Sequence, residues 1–248
     1  HPYFMFSFFK KKSKIPVFET LGTDMHSHLI PGIDDGSPNM ETSLAFLTIL
    51  QELGYRKVIT TAHILPGLSN NTSTNILAGV KALKEAASLQ GLTIQVEAAA
   101  EYFIDTHFES LLLKNDLLSF GASKFILVEM SFVAPSPQLE QVIFQLQTKG
   151  YQPILAHPER YNYWHHSPAI FSHLKELGCC FQVNLPSLMG YYGAPTKKIA
   201  LHFVKSGWVE FVGTDLHHDR HMELLKKYKF DADLSRLFQN YPVRNSEL

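Results

Sequence analysis

Short apolar runs alternate with longer stretches of helical periodicity from Gly22 to Gly213. The apolar runs read as strands at Gly22–His28, Lys57–Thr61, Thr93–Ala98, Phe125–Met130, Gln152–Ala156, Cys180–Asn184 and Trp208–Gly213. Short runs rich in branched and aromatic side chains suit a sheet. Between them the spacing predicts helices. Ser37 is the expected N-cap of the first, with Pro38 at its opening position, apolar Leu44, Leu47, Leu50 and Leu53 on one face, and Gly54 closing it. Others are expected at Thr74–Leu89, Gln138–Lys149, Pro168–Leu177 and Thr196–Ser206, each followed by a glycine suited to a left-handed C-cap.

A repeated strand-then-helix order predicts an α/β fold, a parallel sheet with helices outside it. A closed barrel and an open doubly wound sheet both fit. Two features favour the barrel: no Gly-x-Gly-x-x-Gly follows the first strand, and polar residues gather at the C-terminal end of nearly every strand. The chain of 248 residues is long enough for such a domain, and no linker rich in Pro, Gly or Ser divides it. We therefore expect an N-terminal tail at 1–20 and a single barrel domain at 21–248. Met5 is the expected natural start.

Charge narrows the range of functions. With 22 Lys+Arg against 23 Asp+Glu the net charge is −1, so no broad basic footprint for nucleic acid exists. The aromatic run Tyr3–Phe9, followed by Lys10, Lys11 and Lys12, is far shorter than the roughly 20 residues of a bilayer span, and its charges follow rather than precede it, unlike a signal peptide. The adjacent Cys179 and Cys180 offer no disulfide framework and no thiolate-rich metal site. A reducing, cytoplasmic setting is expected.

The strand ends carry the chemistry. They read Asp24-Met25-His26-Ser27-His28, Thr61-Ala62-His63, Ala100-Glu101, Glu129, Ala156-His157 and Thr214-Asp215-Leu216-His217, with Asp34-Asp35-Gly36 in the first loop. A barrel brings these ends to one face. His26 and His28, two apart in a strand, point the same way, and so do Asp215 and His217. Imidazoles and carboxylates without thiols suit divalent Mn, Fe, Zn or Co, and carboxylates crowded together resist ionisation unless cations neutralise them. A lone strand-end His or Glu is as readily a hydrogen-bonded core residue or a salt-bridge partner. Joint placement at strand after strand decides for metal. Asp24 is expected to orient a ligand histidine.

In this order the motifs resemble the PHP (polymerase and histidinol phosphatase) superfamily. More narrowly, His26-Ser27-His28, Pro31-Gly32-Ile33-Asp34-Asp35-Gly36, Thr61-Ala62-His63, Glu101, Glu129-Met130-Ser131, Ala156-His157-Pro158-Glu159-Arg160-Tyr161 and Asp215-Leu216-His217 resemble the bacterial manganese-dependent tyrosine-protein phosphatases of capsular and exopolysaccharide synthesis. The resemblance runs from Gly22 to Arg220. It implies a distorted seven-stranded β/α barrel with three divalent ions, manganese first among them. One ion would take His26, His28, Glu101 and Asp215, a second would share Glu101 and add Glu129 and His157, and a third would take Asp35, His63 and His217. Arg160 and Arg220 would bind phosphate, since guanidinium forks match its oxygens.

The expected reaction is hydrolysis of phosphotyrosine on protein by a metal-activated water, attacking in line and without a phosphoenzyme. Cys-x5-Arg chemistry is excluded, because Leu185 and Pro186 stand six residues after Cys179 and Cys180. The resemblance implies a polysaccharide-export tyrosine kinase as protein substrate. Alternatives are a histidinol-phosphate or other small-molecule phosphatase and a catalytically silent docking module. Tyr102, Phe103, Phe132, Tyr161, Tyr163 and Trp164 lie near the motifs; loop packing suits each of them as well as contact with a substrate ring.

Overall fold

The computed structural model describes residues 16–248. Seven strands follow one another in spatial order and every ladder is parallel: β1 (Thr23–Asp24), β2 (Lys57–Ile64), β3 (Gln95–Phe103), β4 (Phe125–Glu129), β5 (Gln152–Ala156), β6 (Cys180–Asn184) and β7 (Val209–Gly213). The two edges meet beyond the strands, where Ser27 bridges Leu216 and the His28 amide donates to the Leu216 carbonyl at 3.0 Å. A sheet that curls until its edges touch is a nearly closed barrel.

The expected first strand, Gly22–His28, is regular for two residues only. Past Asp24 the pairing turns irregular: the Thr61 amide still donates to the Ser27 carbonyl at 2.7 Å, while Thr60 Oγ1 donates to the same carbonyl and accepts from the Leu29 amide. β2 and β3 run further than expected, to Ile64 and Phe103, and this extension carries His63 and Glu101 within the ladder as a registered pair.

The helices are α1 (Val17–Leu21), α2 (Met40–Leu53), α3 (Ser73–Leu89), α4 (Thr106–Lys114), α5 (Leu139–Thr148), α6 (Ala169–Glu176), α7 (Leu185–Met189), α8 (Ala194–Lys205), α9 (Asp219–Tyr228) and α10 (Ala232–Asn240). Asn39, not Ser37, caps α2, accepting from the Thr42 amide at 2.9 Å. Ser37 is buried instead, its hydroxyl accepting from Ser43 at 2.8 Å. Gly54 does close the helix in the left-handed region, at φ 109°. Helix α4 has no counterpart in the sequence reading, although Asp105 caps it through the Phe108 amide at 2.8 Å.

Residues 17–20 of the expected tail belong to α1, whose Val17, Phe18 and Leu21 are buried, with Phe18 stacked on Tyr55 at 5.5 Å. The aromatic run and the lysines lie outside the described residues. Among the described residues no helix is long and apolar enough to cross a membrane.

Strand alternation divides the core in two. Ile126 and Val128 face outward into the larger cluster, packed under the helices. Ile59, Ala99, Leu127, Ile154, Cys180 and Phe211 fill the smaller one, inside the barrel. With a period of two, these inward rows continue to His63, Glu101, Glu129, Gln182 and Asp215. Each row starts apolar and ends in a polar group at the C-terminal mouth.

Candidate metal centre

All of the histidines and carboxylates named as ligands from the sequence converge at that mouth. Three groups have donor atoms within 4.8 Å of one another: His26, His28, Glu101 and Asp215; His28, Asp35, His63 and His217; and His63, Glu101 and Glu129. His157 adjoins the last, with Nε2 3.0 Å from Glu101 Oε1 and 4.0 Å from Glu129 Oε2. The grouping differs from that implied by resemblance: His28 and His63 each belong to two groups, and His157 lies beside the last group rather than within it. His63 is shared, with Nδ1 3.0 Å from Glu129 Oε1 and Nε2 3.5 Å from Asp35 Oδ1.

The geometry fits cations. His26 Nδ1 donates to Gln182 Oε1 at 2.8 Å, an orientation fixed because Gln182 Nε2 donates to Asn184 Oδ1 at 2.8 Å. His28 Nδ1 donates to Asp34 Oδ2 at 2.9 Å. With both protons placed on Nδ1, the two Nε2 lone pairs face each other at 3.3 Å. Two lone pairs so close repel unless a positive ion lies among them, and ligating histidines characteristically donate their other nitrogen in this way. His157 Nδ1 is buried without a hydrogen-bond partner, and His63 Nδ1 is buried with only the Glu129 carboxylate, 3.0 Å away and poorly aligned, to meet it.

Electrostatics carry the same message. Burial pushes the rings of His26, His63 and His217 toward neutrality, but neighbouring carboxylates outweigh it. Glu101 and Asp215 raise His26 to about 9, Glu101 and Glu129 raise His63 to about 10, and Asp215 and Asp35 raise His217 to about 9. Burial raises the Glu129 carboxyl, and the Glu101 charge adds to it. Negative charge at this mouth draws in protons when no stronger cation is at hand.

The backbone is bent to serve the cluster. His157 and Asp215 are non-glycine residues in the left-handed region, at φ 35° and 49°, a conformation that costs on the order of 1 kcal/mol or more and concentrates at functional sites. Gly36 and Gly213 give close approach: a Cβ on the first would overlap the His28 carbonyl, and one on the second the His26 side chain.

Several partners escaped the sequence reading. Asp34 accepts from His28 Nδ1, from the His63 amide at 3.1 Å and from the Gly36 amide at 3.0 Å. Asn184 donates to Asp215 Oδ2 at 2.6 Å. Burial lifts the carboxyl of Glu159 to about 7, although it accepts from Ser187 Oγ and the Asn184 amide. The adjacent Asp34-Asp35 was the available signal for the first; Gln182 and Asn184 offered none beyond strand periodicity. Asp24 does not orient a histidine ring. Its carboxylate holds the Thr214 amide and hydroxyl, at 2.9 and 2.6 Å, and so fixes the turn that presents Asp215.

The arginines part company. Arg160 Nη1 donates to Asp215 Oδ2 at 2.9 Å, and its guanidinium lies between the rings of Phe132 and Tyr192, 4.5 and 4.3 Å from their centroids. It lines a cavity of about 290 Å³ together with Asp35, His63, Glu101, Glu129, His157, Asp215 and His217. Arg220 sits exposed on the first turn of α9 and is not among the lining residues. Of the flagged aromatics, Tyr102 and Tyr161 are fully buried, and Phe132 reaches the cavity.

A family model described as capsular polysaccharide synthesis, CpsB/CapC, matches residues 22–227. The chain belongs to the CpsB/CapC family. It is 31% identical over 195 residues to the tyrosine-protein phosphatase YwqE of Bacillus subtilis, covering 79% of this chain and 77% of that protein. It is 26% identical over 201 residues to the tyrosine-protein phosphatase CpsB of Streptococcus agalactiae, covering 79% and 82%.

Among solved structures it is similar to a chain from the crystal structures of YwqE from Bacillus subtilis and CpsB from Streptococcus pneumoniae, metal-dependent tyrosine phosphatases. The TM-score is 0.76 at 28% identity, covering 91% of this chain and 94% of that one. A more distant likeness, an organophosphorus hydrolase from Deinococcus radiodurans at TM-score 0.52 and 14% identity, extends the CpsB/CapC barrel to other enzymes by fold alone.

Proposed function

We propose that this CpsB/CapC chain is a metal-dependent phosphomonoesterase acting on phosphotyrosine in protein. The observation that carries it is the convergence, in one cavity, of a histidine and carboxylate cluster with a free-edged guanidinium, Arg160. The relatives named tyrosine-protein phosphatases supply the substrate class.

His26, His28, Glu101 and Asp215 would hold one divalent ion, Glu101, Glu129 and His157 a second, and Asp35, His63 and His217 a third, with manganese the preferred metal. When bound, such ions supply Lewis-acid charge and make water acidic enough to attack near neutral pH. The chain's own residues do the rest. Gln182 and Asp34 fix the ring orientations of His26 and His28. Arg160, held flat between two rings and anchored on Asp215, presents its remaining donors to phosphate oxygens, where fixed positive charge lowers the barrier to in-line transfer. Arg220, one turn beyond His217, would meet the phosphoprotein at the rim. A phenolate leaving group, with a solution pKa of about 10, departs with little acid assistance.

The substrate we propose is the tyrosine-rich part of a polysaccharide-export kinase, met on the cytoplasmic side. The test is initial hydrolysis rates for a phosphotyrosine peptide, a phosphoserine peptide and histidinol phosphate, each with Mn²⁺ and with EDTA, beside elemental analysis. Chelator-sensitive preference for phosphotyrosine is expected. Preference for histidinol phosphate, or no turnover by metal-loaded protein, would overturn the reading.

A further inference from the structure

Two half-exposed aromatic side chains stand at the mouth of the metal cavity, and neither holds metal or donates to the phosphate. Phe132, in the loop after β4, is 46% exposed, and Tyr191, in the loop after α7, is 38% exposed. Both line the cavity. Both are also held in place. The Phe132 ring meets His157 at 5.4 Å and Tyr161 at 5.8 Å, and covers one face of the Arg160 guanidinium. Tyr192 covers the other face, and Tyr191 packs edge-on against Tyr192 at 5.0 Å and against His221 at 4.9 Å.

The cavity is therefore graded: charged groups at its floor, the guanidinium partway up, and apolar rings at its rim. Exposed aromatic surface is costly to leave in water and is relieved when another ring covers it. A phosphomonoester that fills this shape has its phosphate against the cluster and Arg160, and a flat apolar group directly beyond the ester oxygen. An aryl phosphate has that group. The methylene of phosphoserine ends below the rings and leaves them bare.

We infer that Phe132 and Tyr191 are the walls that set a preference for aryl over alkyl phosphate esters at this site. The inference rests on the phosphatase reading and adds the residues that select the substrate. Because Phe132 also covers Arg160, Phe132→Leu, which keeps bulk over the guanidinium, is the informative change there. Tyr191→Ala leaves both rings on the guanidinium in place and removes the ring packed against Tyr192 and His221.

The experiment has a turnover arm and a binding arm on metal-loaded protein. In turnover, the ratio of kcat/KM for a phosphotyrosine peptide to that for a phosphoserine peptide falls roughly three- to tenfold in each variant, the loss lying on the phosphotyrosine side. In calorimetry, phenylphosphonate binds more weakly by a similar factor, and inorganic phosphate binds as before. Phe144→Ala, which removes an exposed ring from α5, leaves both readings unchanged. A wild type that ignores phosphotyrosine overturns the phosphatase reading. Unchanged phenylphosphonate affinity, or equal losses on both ligands, overturns the walls.

Discussion

Asp34 ties three donors to one carboxylate: the His28 ring, the His63 amide and the Gly36 amide. Removing it frees two proposed ligands at once, so Asp34→Ala is expected to weaken metal binding about ten- to a hundredfold, read by competition with a metal indicator. A different outcome is expected one layer further in. Arg160→Ala should lower kcat/KM by roughly a hundred- to a thousandfold with metal content retained, and Arg220→Ala, at an exposed position, should cost far less. Equal losses in the two arginine variants would argue against the cavity assignment. Thiol chemistry is expected to be silent, because both cysteines are buried and burial pushes Cys180 up to about 11 and Cys179 further. Iodoacetamide at pH 7.5, on the order of an hour, should leave the native enzyme active.

Elements act here as carriers of single groups. β7 delivers Asp215 only because Gly213 lets the chain press against His26. A methyl group there forces the backbone or the ring to move, and overpacking of this kind costs about 1–3 kcal/mol. Gly213→Ala should therefore lower Tm and metal affinity together. Asn39→Ala, which removes the cap of α2 on the far side of its loop, should cost about 1 kcal/mol by denaturant melts while leaving metal affinity near wild type. Where periodicity is unopposed, as at β5 and β6, the strands have the bounds expected from sequence. β1 is shorter than expected because a threonine hydroxyl of β2 takes the Leu29 amide and shares the Ser27 carbonyl, which breaks the regular ladder. Helix α4 leaves little mark in the sequence, because Asp105 and a modest apolar face are followed by Asn115, not a glycine, in the left-handed closing position.

At the scale of the whole molecule, the cluster sets a balance between protons and cations. Without metal, His26, His63 and His217 are raised to about 9, 10 and 9, from a usual value near 6.5. A histidine with a raised folded value adds stability that is complete below the unfolded pKa, about 6.5, and is lost as pH climbs through the folded one. The chelated protein should thus lose Tm between pH 7 and pH 10. Metal binding requires the unprotonated rings, so its affinity rises over the same range. The gain in Tm on adding Mn²⁺ is therefore expected to widen from pH 6.5 to pH 9, measured by calorimetry in paired samples. A constant gap would show that the rings do not exchange protons for metal.

The sequence alone determined the strand-helix alternation, the parallel sheet and the residue types at the strand ends, because side-chain period and turn chemistry are local and leave marks in the order of residues, whereas the closing of the sheet rests on Ser27 meeting Leu216 across the chain. His63, Glu101 and Glu129 were legible as strand ends for that reason. Only the tertiary structure decided which nitrogen of His26 and His28 is free, since Gln182 and Asp34 reach them from distant or irregular segments. It alone separated Arg160 from Arg220, which share the same spacing from a histidine, by seating one between Phe132 and Tyr192 and leaving the other on an exposed helix turn. Ring stacking, ion pairing and burial are properties of neighbours in space, and a linear order of residues does not contain them.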